Sequence, residues 1–425
     1  MRLILIDGPE SKRANFYPLT LSRPVFALRV GMSSLAEKLS AKLGLTDVAC
    51  FIPEYMAAPF ALRSTYTVNK VESLKGDDLF IANGRIKAST FTATASGPSE
   101  VGTCDNEVCW ARINKADLAK LKTDSIEALL ASAKAILPNK PCGAEMWNYT
   151  WDLILSNPQV LADDFKAAGR SGIEGSVEQP NAIRGDKKNV FIAKGAVVHP
   201  MVVIDAEHGP VYLDEGVEVH PFTRIEGPCY VGKKSILLGT KCREGMSIGP
   251  MCRVGGEVEE SIIQGYSNKY HDGFLGHAYV GEWVNLGALT TNSDLKNDYG
   301  SVSVMLDGRT PIDTGSTKVG SLIGDHTKTS IATLFNTGSV IGAMALIMAT
   351  GKPLPKFIPS FAWYIDGNVT KGFGKGKLYG TAKIAMSRRK CQWTPDDEKM
   401  WDAIFAMTAG PRDEAVKRAR KAMLK

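Results

Sequence analysis

Two of the chain's six histidines, His271 and His277, fall within one polar segment, Ser267–Asn297, "SNKYHDGFLGHAYVGEWVNLGALTTNSDLKN". An imidazole has an ordinary pKa near 6.5. It is therefore suited to accept or donate a proton near neutral pH, as general acid–base chemistry requires. The same segment supplies amides at Asn285 and Asn292, a carboxylate at Asp294 and an ammonium at Lys296. It has no helical or strand period, so other elements must position these groups.

Those elements are legible on either side. Aliphatic residues recur six apart at Ile192, Val198 and Ile204, then at Leu213, Val219, Ile225, Val231 and Leu237, and hexads resume at Ile248, Val280, Leu286 and Ile341. A six-residue period suits neither a helix nor the period-two alternation of a β-sandwich. It predicts a coil of short parallel strands, three hexads per turn, with the leading aliphatic pointing inward and glycine at tight corners. Each turn buries its aliphatics only by stacking on its neighbours. On this reading the polar segment interrupts the repeat between about Val254 and Val280 and lines a cleft. His277 either orients His271 or sits on the surface, and His199, His220 and His326 occupy exposed hexad positions with structural roles.

The chain has 425 residues and 44% hydrophobic content, more than one core accommodates. The expected division is an α/β unit with a connector helix over 1–168, the coil over 169–365 and a basic helical tail over 366–425. No run reaches the roughly 20 apolar residues of a membrane span, and "RLILID" reads as a buried strand rather than a secretory signal. Eight scattered cysteines form neither a dense disulfide framework nor a zinc pattern. A cytoplasmic protein with reduced thiols is expected. From Lys371 onward, 14 Lys and Arg face 6 Asp and Glu, a charge of +8, which leaves −2 for the rest of a chain whose net charge is +6. The tail carries no recognisable nucleic-acid motif. A solvated helical face or an attraction for phosphorylated small molecules is expected instead.

The hexads resemble the left-handed parallel β-helix of acyltransferases. "YHDGFLGHAYVGEWVNLGALTTNSD" is similar to the acetyltransferase core of the bifunctional N-acetylglucosamine-1-phosphate uridyltransferase/glucosamine-1-phosphate acetyltransferase family, in a divergent branch. The resemblance covers most of residues 1–365 and implies that His271 is the general base. It further implies that Asn285 holds the sugar or the thioester carbonyl, and that Asn292, Asp294 and Lys296 form a loop contacting sugar phosphate or cofactor. Acetyl-CoA as donor, an amino-sugar phosphate as acceptor and a homotrimer are implied likewise. Phe274 replaces the family's phenol. The family's lysine pair is replaced by Glu259 and Glu260, which leaves Arg253, Lys269 and Lys296 as the nearest candidates for phosphate recognition.

In the first half, "FYPLTLSRPVFALRVGMSSLAEKL" is similar to the opening of sugar-1-phosphate nucleotidyltransferases. The resemblance implies an α/β nucleotide-binding unit in which Asp7, Gly8, Arg13 and Arg23 hold the triphosphate of a UTP-like nucleotide, with Asn83 and Gly84 at the strand end. The usual glycine-rich loop is replaced by "GPESKRAN", and Val25 stands in place of a lysine. The usual metal-binding carboxylate is missing from "ANGR", where Arg85 opposes a cation. Either another acid, with Asp77 and Asp78 near in sequence, supplies a Mg²⁺ site, or the unit binds nucleotide or sugar without turning it over. The metal ligands are unassigned. Three functions follow: acetyl transfer, with or without nucleotidyl transfer; nucleotidyl transfer alone, the β-helix serving oligomerisation; and a silent trimeric sugar-nucleotide-binding scaffold.

Overall fold

The computed structural model describes residues 1–348 and 351–423; Ala349, Thr350 and the last two residues of the basic tail lie outside the described residues, as do the side chains of Ala422 and Met423. Strand Arg2–Ile6 runs between Val48–Phe51 and Leu79–Asn83, parallel to both, with Leu3, Ile4 and Leu5 fully buried. A continuous apolar run is what a central parallel strand covered on both faces requires. The seven-stranded sheet continues through Glu107–Ile113, Glu100–Cys104 and Asn139–Pro141 on one side and ends at Thr67–Val68 on the other. Helix Leu35–Leu43 covers one face, started by a Ser34/Glu37 capping box and stopped by Gly44 in the left-handed region.

From Gly172 the chain winds into a parallel coil with three flat faces. One face stacks ten strands, from Gly172–Ile173 through Val190–Ile192, Val211–Leu213 and Cys229–Val231 to Phe357–Ile358. On the second face Val198, Val219, Leu237, Val254 and Lys269 lie in register one above another. The four aliphatic residues of this column belong to the buried prism core. Short strands, hexad spacing and corners in the left-handed region are those of the left-handed parallel β-helix, as the sequence predicts. Glycine fills one corner column only at its start, at Gly195 and Gly216. Above them Lys234, Met251, Tyr266, Trp283, His326, Met344 and Phe361 adopt φ between 54° and 60°. Tyr266 stacks on Trp283 with centroids 4.5 Å apart, and His326 lies nearly parallel to Trp283 at 6.1 Å. Packing of each side chain on the next rung offsets the cost of a left-handed non-glycine residue.

The coil does not break where the sequence suggested. Strands Arg253–Glu259, Ile262–Gly265, Asn268–Lys269, Phe274–Gly276 and Tyr279–Glu282 stack without interruption. The polar segment is an ordinary turn of the coil whose polarity lies at its corners and outward positions. The excursion comes later, between Asn292 and Leu322, and contains the hairpin Ser303–Val304 with Ile312–Asp313. His326 is not exposed; it is buried among Trp283, Trp393 and Trp401.

Helix Thr150–Ala168 packs on the coil as well as on the first unit. Asn157 accepts from Gly31 N at 2.7 Å and donates to Gly245 O at 2.7 Å, and Leu161 joins Phe191, Tyr212 and Tyr230 of the coil. The tail forms three helices, Lys375–Ser387, Pro395–Met407 and Ala409–Met423, rather than one. The second is capped by Thr394 and buries Met400, Trp401 and Ile404. Among the described residues no helix is long and apolar enough to cross a membrane.

The prism core sets the stability of the coil, because each rung is buried only by its neighbours. Leu237→Ala is expected to lower the unfolding free energy by about 2–5 kcal/mol, read as a reduced urea midpoint; an unchanged midpoint would place that side chain outside the prism.

Candidate active site

The outward positions of the second face form a polar column. Arg253 stands in register with Asn268, Asn268 bridges Asn285, and Asn285 bridges Lys328. At the ~4.8 Å step between neighbouring strands these four side chains span roughly 14 Å. Asn268 Nδ2 donates to Asn285 Oδ1 at 3.2 Å, and Arg389, just beyond helix Lys375–Ser387, donates to Asn268 Oδ1 at 3.0 Å. The helix and column enclose a cleft of about 220 Å³ lined by Tyr266, Asn268, Trp283, Asn285, Lys328 and Arg389. Burial pushes the Lys328 ammonium down to about 7, although Asp325 opposes the shift. Burial also lowers Arg253, with Arg389 contributing as a second guanidinium. Arg389 and two amides face the cleft beside Lys328, whose Nζ donates to the carbonyls of Trp283 and His326, a set that matches an anionic, hydrogen-bonding ligand.

His271 occupies the next corner, between strands Asn268–Lys269 and Phe274–Gly276. Its ring is exposed, its nearest aromatic neighbour being Tyr270 at 4.9 Å, and among the described residues no hydrogen bond engages either ring nitrogen. His277 is the opposite case. It is buried, with Nδ1 2.8 Å from Asp294 and Nε2 3.1 Å from Glu260. Burial works against its charge, but the two carboxylates prevail and push its pKa up to about 9. Both its nitrogens are committed to carboxylates, so His277 does not orient His271.

Three expected contacts are corrected. Lys269 points into the prism, in the column of Val254, where Nζ donates to the carbonyls of Gly255 and His271 at 3.0 and 2.6 Å and burial lowers its pKa to about 8. It braces the corner that carries His271 and is not turned toward a phosphate. Asn292 is buried, its amide accepting from Gly276 N and donating to Gly276 O, both at 2.9 Å, so no polar edge is left for a ligand. Lys296 lies on the excursion, beside Asp298 at 3.2 Å and Ser301 O at 3.3 Å. Asn285 lines the cleft, whereas Arg253, one rung below Asn268, donates to the carbonyls of Lys234 and Cys252 at 3.1 and 2.9 Å. Lys328 and Arg389 were missed: Lys328 stands 43 residues beyond Asn285 because the excursion intervenes, and Arg389 belongs to a tail with no repeat to place it.

In the first unit the carboxyl ends of the parallel strands, where ligands of such sheets bind, are filled by the chain itself. Residues Glu10–Arg13 form one helical turn rather than a phosphate loop. Arg13 is buried and donates to Thr20 O and Tyr55 Oη at 2.8 and 2.9 Å. Arg23 reaches away from the sheet to the coil, where it makes a two-pronged pair with Asp325 at 3.1 and 2.6 Å and meets Glu282 at 3.0 Å. Neither arginine is presented to a triphosphate. Asn83 donates to Glu107 at 2.8 Å and accepts from Arg85 N at 3.0 Å. A Cβ on Gly84 would stand 2.7 Å from Phe26, so that glycine serves packing. Gly8, with φ of 72°, turns the chain beside Asn83.

These residues do not fit Mg²⁺. Asp7 has one buried oxygen without a hydrogen-bond partner, but burial raises its pKa to about 7, and Arg13 and Arg85 are the charges beside it. Arg85 also takes Glu107 in a 2.7 Å pair. Asp77 and Asp78 lie at the other end of strand Leu79–Asn83, roughly 17 Å away, where Asp77 pairs with the chain's amino group and Asp78 accepts from Lys115 N.

Residues 3–171 match a sugar nucleotidyl transferase family. The chain is 34% identical over 118 residues to the Bifunctional protein GlmU of Acidovorax ebreus, covering 27% of this chain and 21% of that one. It is 34% identical over 150 residues to the bifunctional sugar-1-phosphate nucleotidylyltransferase/acetyltransferase of Sulfurisphaera tokodaii, covering 33% and 35%. The Bifunctional protein GlmU of Methanococcus maripaludis is 29% identical over 242 residues, 55% of this chain and 51% of its own. The chain thus spans between about a fifth and a half of the length of these relatives. A solved Arabidopsis UDP-N-acetylglucosamine acyltransferase aligns over 58% of this chain and 94% of its own at 11% identity, with a TM-score of 0.20, too low to bear on the fold. By these matches the first unit is similar to sugar nucleotidyl transferases, and the chain resembles the GlmU bifunctional proteins over part of its length.

Two outcomes follow from the charge arrangement. Removing Arg23 leaves Asp325 and Glu282 without their shared cation, so Arg23→Ala is expected to cost about 3–5 kcal/mol in unfolding free energy; a variant of unchanged stability with weakened nucleotide binding would return Arg23 to a substrate role. His277 stands above its ordinary value of 6.5 in the fold. Its contribution is therefore full below about pH 6.5 and is lost as the pH rises through about 9. The urea midpoint should fall across that window, and His277→Gln should flatten the fall.

Proposed function

We propose that this protein is an N-acetyltransferase acting on an amino-sugar phosphate of the glucosamine-1-phosphate type with acetyl-CoA as donor. The observation that carries the reading is the contrast between two histidines of one coil turn: His277 is held on both nitrogens by carboxylates, whereas His271 is exposed, with neither nitrogen hydrogen-bonded among the described residues. The neutral His271 imidazole takes a proton from the substrate ammonium. The amine nitrogen then bonds to the thioester carbonyl carbon, the tetrahedral intermediate collapses, and the carbon–sulfur bond breaks to release the thiol, which leaves with a proton. Arg389 and Lys328 border the phosphate groups, and Asn268 and Asn285 give directional hydrogen bonds beside them.

The first unit is proposed to have kept the nucleotidyltransferase fold without its turnover. Supporting this are the turning away of Arg13 and Arg23 and the misfit of Mg²⁺ at Asp7. The division at about residues 168 and 365 and a homotrimeric assembly, in which neighbouring coils border the donor groove, belong to the same proposal. So does a cytoplasmic site of action, which fits eight free thiols, Cys229 and Cys242 staying unbonded with their sulfurs 3.6 Å apart.

The test is thiol release from acetyl-CoA with glucosamine-1-phosphate, then with other amino-sugar phosphates. His271→Ala is expected to lower kcat by about 10²–10⁴-fold, the range of general-base catalysis, with fold and assembly intact. Lys328→Ala should raise KM for the phosphorylated substrate. Absence of thiol release with every acceptor, together with UTP-dependent pyrophosphate release, would favour nucleotidyl transfer instead.

A further inference from the structure

The first turns of the coil carry a second group of chemistry-bearing side chains, well separated from the cleft. Register places Val198 against Val219 and backbone pairing continues from His199 N to Val219 O, so Glu178, His199 and His220 form one outward column, with Glu218 beside it. His199 Nε2 lies 3.3 Å and His220 Nε2 3.0 Å from the same oxygen, Oε1 of Glu218, and the two rings are 5.2 Å apart. The ligand atoms of His199, Glu218 and His220 all lie within 4.8 Å of one another. A tetrahedral ion with bonds of about 2.0–2.1 Å requires neighbouring donor atoms roughly 3.3 Å apart, and the two separations from Glu218 Oε1 are 3.3 and 3.0 Å.

The outer contact is also of the right kind. Glu178 Oε2 sits 3.0 Å from His199 Nδ1. A carboxylate on the far nitrogen fixes the tautomer that leaves the Nε2 lone pair free and raises its basicity, the usual support of a metal-bound imidazole. All four side chains are 29–46% exposed, so an ion can enter without opening the fold.

We propose that His199, His220 and Glu218 form a site for a borderline divalent transition cation of the Zn²⁺ class, with Glu178 as the outer carboxylate and the fourth coordination position open to water or an external donor. Two imidazoles and one carboxylate select such an ion over Mg²⁺ or Ca²⁺, which take oxygen donors. Glu218 lies two rungs below Arg253 through Ile236, roughly 10 Å, so the site is separate from the proposed acyl-transfer cleft.

The experiment uses the full chain freed of metal by chelation. Zn²⁺ is titrated against a chromophoric competitor, and Co²⁺ serves as a spectroscopic probe. One Zn²⁺ per chain with micromolar or tighter affinity is expected, and Co²⁺ should give the intense visible absorption of four-coordinate geometry. His199→Ala and His220→Ala should each abolish binding or weaken it at least 100-fold, and Glu178→Gln should weaken it about 10–100-fold. His208→Ala should leave the affinity unchanged. Unaltered melting temperatures in the metal-free variants separate ligand loss from misfolding. Absence of binding at millimolar Zn²⁺ would overturn the proposal and leave His199 as a cation bridging Glu178 and Glu218. Binding indifferent to the His199 and His220 substitutions would overturn it equally.

Discussion

Rung-on-rung stacking of the prism is the constraint on which the rest of this structure depends. Inward aliphatics such as Val219, Leu237 and Val254 are buried only by the turns above and below. Residues at equivalent outward positions are therefore forced into columns with a ~4.8 Å step. The columns convert residues remote in sequence into neighbours: Arg253, Asn268, Asn285 and Lys328 become a polar ladder, and Glu178, His199 and His220 become another. Neither group needs a loop to bring it together. The scaffold is rigid by construction, as a site that must position several polar groups requires.

The stacking also tolerates polar groups inside the prism when backbone carbonyls satisfy them. Lys269 takes an aliphatic position and donates to two carbonyls at the corner that displays His271. Its lowered pKa, like that of Lys328, follows from burial with little compensating negative charge. His277 shows the reverse balance, where two carboxylates outweigh burial. Two basic side chains of one turn, Lys269 and His277, thus shift in opposite directions, according to what the neighbouring rung supplies.

The first unit and the coil share their charges. Arg23 leaves its own sheet to satisfy Asp325 and Glu282, and Asp325 also accepts from Ser22 at 2.6 Å and Glu282 N at 2.8 Å. A buried ion pair of this kind adds little net stability but makes the loss of either partner costly. Arg13, Arg85 and Glu107 turn inward in the same manner. The strand ends that face ligand in an α/β nucleotide-binding sheet are occupied here by an internal polar network, and Arg23 joins the two parts of the molecule.

The sequence by itself determined the coil, because a six-residue aliphatic period has no other low-energy solution, and it determined the buried strand Arg2–Ile6 and the candidacy of His271. It also brought forward Arg253 and Asn285, through resemblance rather than spacing. Tertiary structure alone decided which polar residues face a ligand. Lys269 and Arg253 are equally cationic in the sequence, but register turns one into the prism and the other out, since neighbours in a strand alternate faces. Asn292 is spent on a backbone pair that only an adjacent turn provides. Lys328 reaches the cleft only because the chain leaves the coil after Asn292 and returns in register, and Arg389 only because the tail folds back over the second face. Local pattern fixes which residues are buried; which partner each polar group meets is a long-range pairing, set by rungs far apart in the chain.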